Sequence, residues 1–215
     1  MNREFLILNN EAARSGKLKI KKSRLRISFF TLLALSGCNI FQTRTPQPPQ
    51  QSQSNFIPAT SPDIVIENLK NAIAEKDVEN YLNCLSDTSF GGKVFSFEPP
   101  PDVKRQYSIF TNWDRNSERA YFNNLVVQSS ATSSPALTLS SDNLVGPIGD
   151  SATYTADYNL IWPNKVPAAP QGVQGSLQFY LGADNNQNWS IHRWVDLRIA
   201  DSLKTWSDMK AQFGQ

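Results

Sequence analysis

An α+β fold is predicted for residues 61–215, with helices first and an antiparallel sheet after them. Two observations carry this reading. Apolar residues recur at helical spacing from Ile66 to Leu125, and after about residue 130 they alternate with polar ones, as in half-buried strands. A third observation, a Pro/Gln/Ser-rich stretch upstream, sets this part apart from what precedes it.

The helices come in order. Ser61 stands where a cap is needed, with Pro62 at the first helical position and Asp63 at the positive end of the dipole. Ile66, Leu69 and Ile73 then form a stripe. Asp77 is placed to cap a second helix bearing Val78, Tyr81, Leu82 and Leu85 at i, i+3, i+4 and i+7. Pro99-Pro100-Pro101 interrupts the pattern. Val103, Tyr107 and Phe110 predict a short helix, and Glu118, Phe122 and Leu125 another.

The strands follow. Leu137-Thr138-Leu139 predicts a short one. Between Ala152 and Trp162, Tyr154, Tyr158, Leu160 and Trp162 share one face, and Thr153, Thr155, Asp157 and Asn159 the other. Val173, Leu177, Phe179 and Leu181 alternate in the same way. Asp184–Asn188 has the composition of a hairpin loop. In the next strand, strict alternation puts Trp189, Ile191, Val195 and Leu197 on one face together with Arg193, and His192, Trp194 and Asp196 on the other. A last helix carries Leu203, Trp206, Lys210 and Phe213 on one side, which would cover the Trp194 face.

The N-terminal region reads as an address. Lys17 to Arg26 is strongly basic, Ile27 to Leu35 is apolar, and Ser36-Gly37-Cys38 follows. That order is charged, apolar, then small at a cleavage site, as in a secretory signal. The apolar run is too short to span a bilayer, which needs about 20 residues. Residues 1–16 are long for such a leader and mixed in charge, which predicts a start downstream of Met1. Residues 38–60, centred on Thr45-Pro46-Gln47-Pro48-Pro49-Gln50, read as a disordered tether, because such a stretch cannot bury enough apolar surface to offset its ordering entropy. The alternative for it is a Pro-rich recognition ligand.

Charge and cysteine usage narrow the function classes. Eight of the 21 basic and two of the 19 acidic residues lie in 1–38, so the remainder carries 13 and 17, a net of −4. A mildly acidic domain lacks the positive field that phosphate backbones attract, so nucleic-acid binding is not expected. The two cysteines are Cys38 and Cys84. If Cys38 carries lipid, Cys84 has no partner and the fold must rest on its apolar core. A single histidine and no Cys/His cluster leave no expected transition-metal site, and no cofactor is expected.

Two resemblances add to this. Leu35-Ser36-Gly37-Cys38 resembles the lipobox of bacterial lipoproteins. This implies cleavage between Gly37 and Cys38 and acylation of the Cys38 thiol, on the exported side of a membrane. Asn39 rather than Asp in the next position implies the outer membrane where the source has one. The alternative is an ordinary signal with an incidental cysteine. Further on, Leu69…Ala72…Asp77…Tyr81…Leu85, Phe90, Phe95-Ser96-Phe97, Trp113…Glu118…Phe122 and Trp189–Asp196…Trp206…Lys210…Phe213 are spaced in a way that resembles the cone-shaped domain of the nuclear transport factor 2-like superfamily. More narrowly, the chain resembles uncharacterised bacterial lipoproteins with such a domain after a short tether. The resemblance implies a curved sheet wrapped around helices with a hollow between them, and by itself no activity.

The candidate hollow-lining residues are Tyr154, Tyr158, Phe179, Trp189, Arg193 and Glu118. Arg193 is the sharpest, because a buried guanidinium needs a partner, and Glu118 is the expected one. The competing reading is a bulge that turns Arg193 to solvent. His192 and Asp196, two apart on a strand, read as the rim of a helix-covered face, with a proton relay as the alternative. Asp157 is expected outward and Cys84 buried as a small apolar residue. No catalytic residue is assigned. The expected function is a membrane-anchored envelope lipoprotein that binds a partner protein or a small apolar ligand in or beside the cone. The rivals are a cyclase- or isomerase-like enzyme working in the hollow, and a structural adaptor of an envelope assembly with the hollow closed.

Overall fold

The computed structural model describes residues 54–131 and 134–215, so the expectations for Gly37, Cys38 and the signal lie outside the described residues. The described chain is α+β, as predicted. Helices α1 (Pro62–Glu75) and α2 (Val78–Asn83) come first, then a short strand β1 (Ser96–Glu98) and helices α3 (Pro101–Gln106) and α4 (Arg115–Val127). Strands β2 (Ala136–Ile148), β3 (Ser151–Ile161), β4 (Gly172–Ala183) and β5 (Trp189–Leu197) and helix α5 (Trp206–Phe213) complete it. The curved sheet has the order β1-β5-β4-β3-β2. Its long strands are antiparallel hairpin neighbours, and β1 lies parallel to β5 at one edge.

Local chemistry explains the helix ends. Pro62 opens α1 from an extended Ser61, whose side chain makes no capping bond. Lys76, left-handed at φ 58°, ends α1, and the Asp77 amide bonds back to the Ala72 carbonyl at 2.9 Å. Asp77 then caps α2 through the Asn80 amide at 2.9 Å, as its position predicted.

Folded chain begins upstream of Ser61. The buried Asn68 side chain accepts from the Ile57 amide at 3.1 Å and donates to the Ile57 carbonyl at 2.7 Å, as a neighbouring strand would. The Trp189 amide reaches the Ala59 carbonyl at 2.7 Å. The backbones of Asn55, Ile57 and Ala59 therefore find partners that composition could not reveal.

The core lies between the helices and the inner face of the sheet. Ala152, Tyr154, Ala156, Tyr158 and Leu160 of β3, and Trp162 just after it, point inward, and Asp157 outward, as alternation predicted. On β4, Val173, Leu177, Phe179 and Leu181 do the same. Gly175 interrupts the row for a steric reason. A Cβ there would stand 2.6 Å from the Tyr158 hydroxyl and 2.7 Å from the Leu197 carbonyl. Strand β2 is much longer than the expected Leu137–Leu139. It bulges between Ser140 and Asn143 and again between Val145 and Ile148, so its alternation is broken and its second half is exposed.

Candidate functional site

The polar residues of the interior converge from three elements. Trp206, Lys210 and Phe213 lie on α5, the last helix, and every residue from Thr205 to Ala211 is buried. Lys210 points into the space between α4 and the sheet, where its ammonium meets Glu118 of α4, and both side chains are 0% exposed. Glu118 accepts further bonds from Tyr81 Oη and Trp113 Nε1, each at 2.7 Å. The ammonium also lies 4.0 Å from the Phe97 ring centroid and 3.9 Å from that of Trp194, with Tyr121 and Trp113 beyond. Aromatic faces are the favourable walls for a desolvated cation. Burial pushes Lys210 down to about 8, with Glu118 and then Asp196 acting in the opposite sense.

A second buried carboxylate stands beside this pair. Asp196 of β5 is 0% exposed. It accepts from Tyr158 Oη at 2.6 Å, from the Ser207 amide at 2.8 Å and from the Ser207 hydroxyl. It thus sits at the N-terminus of α5, where amide donors and the dipole favour an acceptor. The Tyr158 hydroxyl in turn accepts from the Trp206 amide at 2.7 Å. Burial raises the Asp196 carboxyl above the ordinary range, against the lowering effect of Ser207 and Tyr158. Burial also raises the Tyr158, Tyr81 and Tyr121 phenols, assisted by Asp196 for the first and by Glu118 for the other two. These hydroxyls therefore stay neutral at any ordinary pH, Tyr158 and Tyr81 as donors to the carboxylates and Tyr121 as an acceptor from the Trp206 indole at 3.0 Å.

What this constellation can do chemically follows from its saturation. A general base needs a free lone pair and a path to a substrate. Both Glu118 oxygens and both Asp196 oxygens already hold protein donors. Around them the side chains of Trp162, Trp194, Trp206, Tyr121, Phe122 and Phe179 are each less than 2% exposed. Trp194 packs edge-on against Trp206 at 4.6 Å and against Phe179 at 5.0 Å. The interior around the two carboxylates is packed with the protein's own rings and with Lys210. Among the described residues, the Trp194 indole N–H and Arg115 Nε are buried without a hydrogen-bond partner.

The sequence-predicted set divides. Tyr158, Phe179 and Glu118 are each buried in the interior. Tyr154 stacks on Phe179 at 6.3 Å and also lines a cleft between α1 and β2, and Trp189 lines another cleft beside Phe56 and Arg115. Arg193 requires correction. The β4–β5 register jumps between Tyr180–Arg193 and Leu181–Ile191, which leaves His192 as an extra residue. That bulge reverses the parity of everything after it. Arg193 turns to the outer face and pairs with Glu98 at 2.6 Å, not with Glu118. It also lies over the Tyr180 ring at 4.8 Å. By the same bulge, Trp194 and Asp196 point inward while His192 stays outside near Tyr180, so the His192/Asp196 relay does not form.

Sequence reasoning missed Lys210 as a buried charge, although a lysine on the stripe Trp206/Lys210/Phe213 was the signal. Cys84 is buried as expected, and burial raises its thiol, so it is not a nucleophile. Among the described residues, no group of three His, Cys, Asp or Glu gathers as a metal would need, and no helix is long and apolar enough to cross a membrane.

No family model matches the chain, and no curated protein matches it in sequence. Solved structures do resemble it in backbone course. A protein of Novosphingobium aromaticivorans, provisionally described as an aromatic ring hydroxylase, is 16% identical with a TM-score of 0.49, over 69% of this chain and 92% of its own. A nuclear transport factor 2-like superfamily protein from Salmonella enterica is 14% identical with a TM-score of 0.47, over 64% and 88%. A nuclear transport factor 2-like protein with a cystatin-like fold, also from Novosphingobium aromaticivorans, is 11% identical with a TM-score of 0.44, over 64% and 79%. Identities this low say nothing of activity.

Proposed function

We propose that this protein is an exported lipoprotein, held on the outer side of a membrane by acyl chains on Cys38, whose cone domain is a non-catalytic adaptor that meets a partner protein through its surface. The single observation that carries the adaptor reading is the occupied interior. Lys210 and Glu118 are both 0% exposed, walled in by buried aromatic rings. An enzyme of this shape would need an open hollow with unsatisfied titratable groups. Small surface clefts of about 280 to 470 Å³ leave the buried carboxylates out of reach. The anchor rests on the order of basic run, apolar run and Leu35-Ser36-Gly37-Cys38.

Two experiments test the two halves. Cells given labelled palmitate should incorporate it into the wild-type chain and not into Cys38→Ala, which should accumulate uncleaved. Continued labelling of that variant would refute the anchor. For the closed interior, the fluorescence of Trp162, Trp194 and Trp206 should resist acrylamide and stay unchanged when a small aromatic probe such as 2-naphthol is added. A saturable change with 2-naphthol would overturn the adaptor reading.

A further inference from the structure

One cleft differs in kind from the others. It lies between α1 and β2, with a volume of about 330 Å³. Its floor is apolar: Ile66 and Tyr154 are nearly buried, Leu139 is half-buried and Leu144 is 36% exposed. Its rim carries three carboxylates, Asp63, Glu67 and Asp142, against one ammonium, Lys70, which pairs with Glu67 at 3.2 Å. Beyond the rim, Val145 and Ile148 are 54% and 78% exposed and extend the apolar edge along β2.

The β2 bulge builds this groove. Ser140 pairs with Asp157 and Asn143 with Thr155, so Ser141 and Asp142 stand opposite the single residue Ala156. Ser141 takes a left-handed φ of 52°, which a non-glycine residue adopts at a cost. A bulge re-aims side chains, and here it brings Asp142 against the Tyr154 hydroxyl. Burial, with Asp142 beside it, holds that phenol up at about 12, so it remains a neutral donor to the carboxylate. The same bulge interrupts the outer edge of β2, so a partner cannot simply add a strand there. An incoming segment must use side chains.

We infer that the α1/β2 groove docks a segment of a partner protein in which one apolar side chain is flanked by Lys or Arg. The apolar residue occupies the floor over Ile66, Leu139 and Leu144, and the basic residues meet Asp63, Glu67 and Asp142. Charge complementarity selects this occupant, because an anionic lipid surface or an acidic segment would face a rim of its own sign. This inference rests on the adaptor reading and names the partner class for it.

The full chain in detergent is titrated with a fluorescein-labelled peptide, Gly-Lys-Arg-Leu-Lys-Lys-Gly, and with its counterpart in which every Lys and Arg is Glu. The basic peptide should bind at least about tenfold more tightly, and rising salt should weaken it. Leu144→Asp, and separately the pair Asp63→Lys with Asp142→Lys, should each weaken binding about tenfold or more. Asp157→Lys, on the outer face of the sheet, should leave it unchanged. Circular dichroism confirms that these surface variants fold. Equal binding of both peptides, or binding indifferent to the groove variants, overturns the groove assignment. Groove-dependent binding to phosphatidylglycerol vesicles overturns it in favour of a membrane. These failures leave the adaptor reading standing, because that reading falls only if 2-naphthol enters the interior.

Discussion

Two ion pairs of similar chemistry lie on opposite sides of one sheet. Lys210 and Glu118 meet on the inner side, both fully buried. Arg193 and Glu98 meet on the outer side, with side chains 41% and 46% exposed. Water screens the outer pair, and exposed pairs of this kind contribute about 0–1 kcal/mol. The inner pair has lost its water. It persists because Tyr81, Trp113 and the rings around the ammonium supply what solvent no longer does. An outer pair can therefore be removed with little consequence. An inner pair must be kept whole or replaced whole.

The largest expected effect tests that rule. Glu118→Leu alone strands a buried ammonium and should lower unfolding stability by about 3–5 kcal/mol in urea denaturation. Adding Lys210→Met should restore most of the loss, because the double variant removes both charges of the pair and strands neither. If the double variant is as unstable as the single one, the pair's stabilising role is packing and not charge compensation.

A smaller effect concerns pH. In the fold Lys210 releases its proton near 8, below its ordinary 10.5. Between these values the unfolded chain binds more protons than the folded one, so this group's contribution to stability grows with rising pH. It is lost as pH falls through 8. From pH 8 to about 9.5 the urea midpoint of the wild type should rise relative to that of Lys210→Met. Parallel curves would show that burial does not depress this lysine.

The smallest effect completes the comparison. Arg193→Met should cost no more than about 1 kcal/mol. A loss several times larger would mean that the outer face is covered in the working protein.

Much of the framework was legible in the sequence. The stripes Ile66/Leu69/Ile73 and Tyr81/Leu82/Leu85, the Asp77 cap and the alternation along β3 and β4 depend on neighbours within a few residues. Each survives in the structure, except that α2 ends at Asn83 and Leu85 instead bridges to Ile191 of β5. The site was less legible. Tyr158, Phe179 and Glu118 were placed in the interior by face or by spacing, but Arg193 was placed there by a parity that one extra residue at His192 reverses. Strand β2 was truncated because Ser140–Asn143 has the composition of a loop, and only its pairing with β3 keeps it in the sheet.

The order of elements and their helical or extended character were thus written locally, in periodicity and caps. Which charges lie inside was not. Lys210 and Glu118 are 92 residues apart, and their meeting depends on how α5 seats over α4 and the sheet. A register shift likewise exchanges inside for outside without altering any local preference. Burial and pairing are properties of the whole packing, and so the closed interior and the re-aimed Asp142 emerged only once the chain was folded in three dimensions.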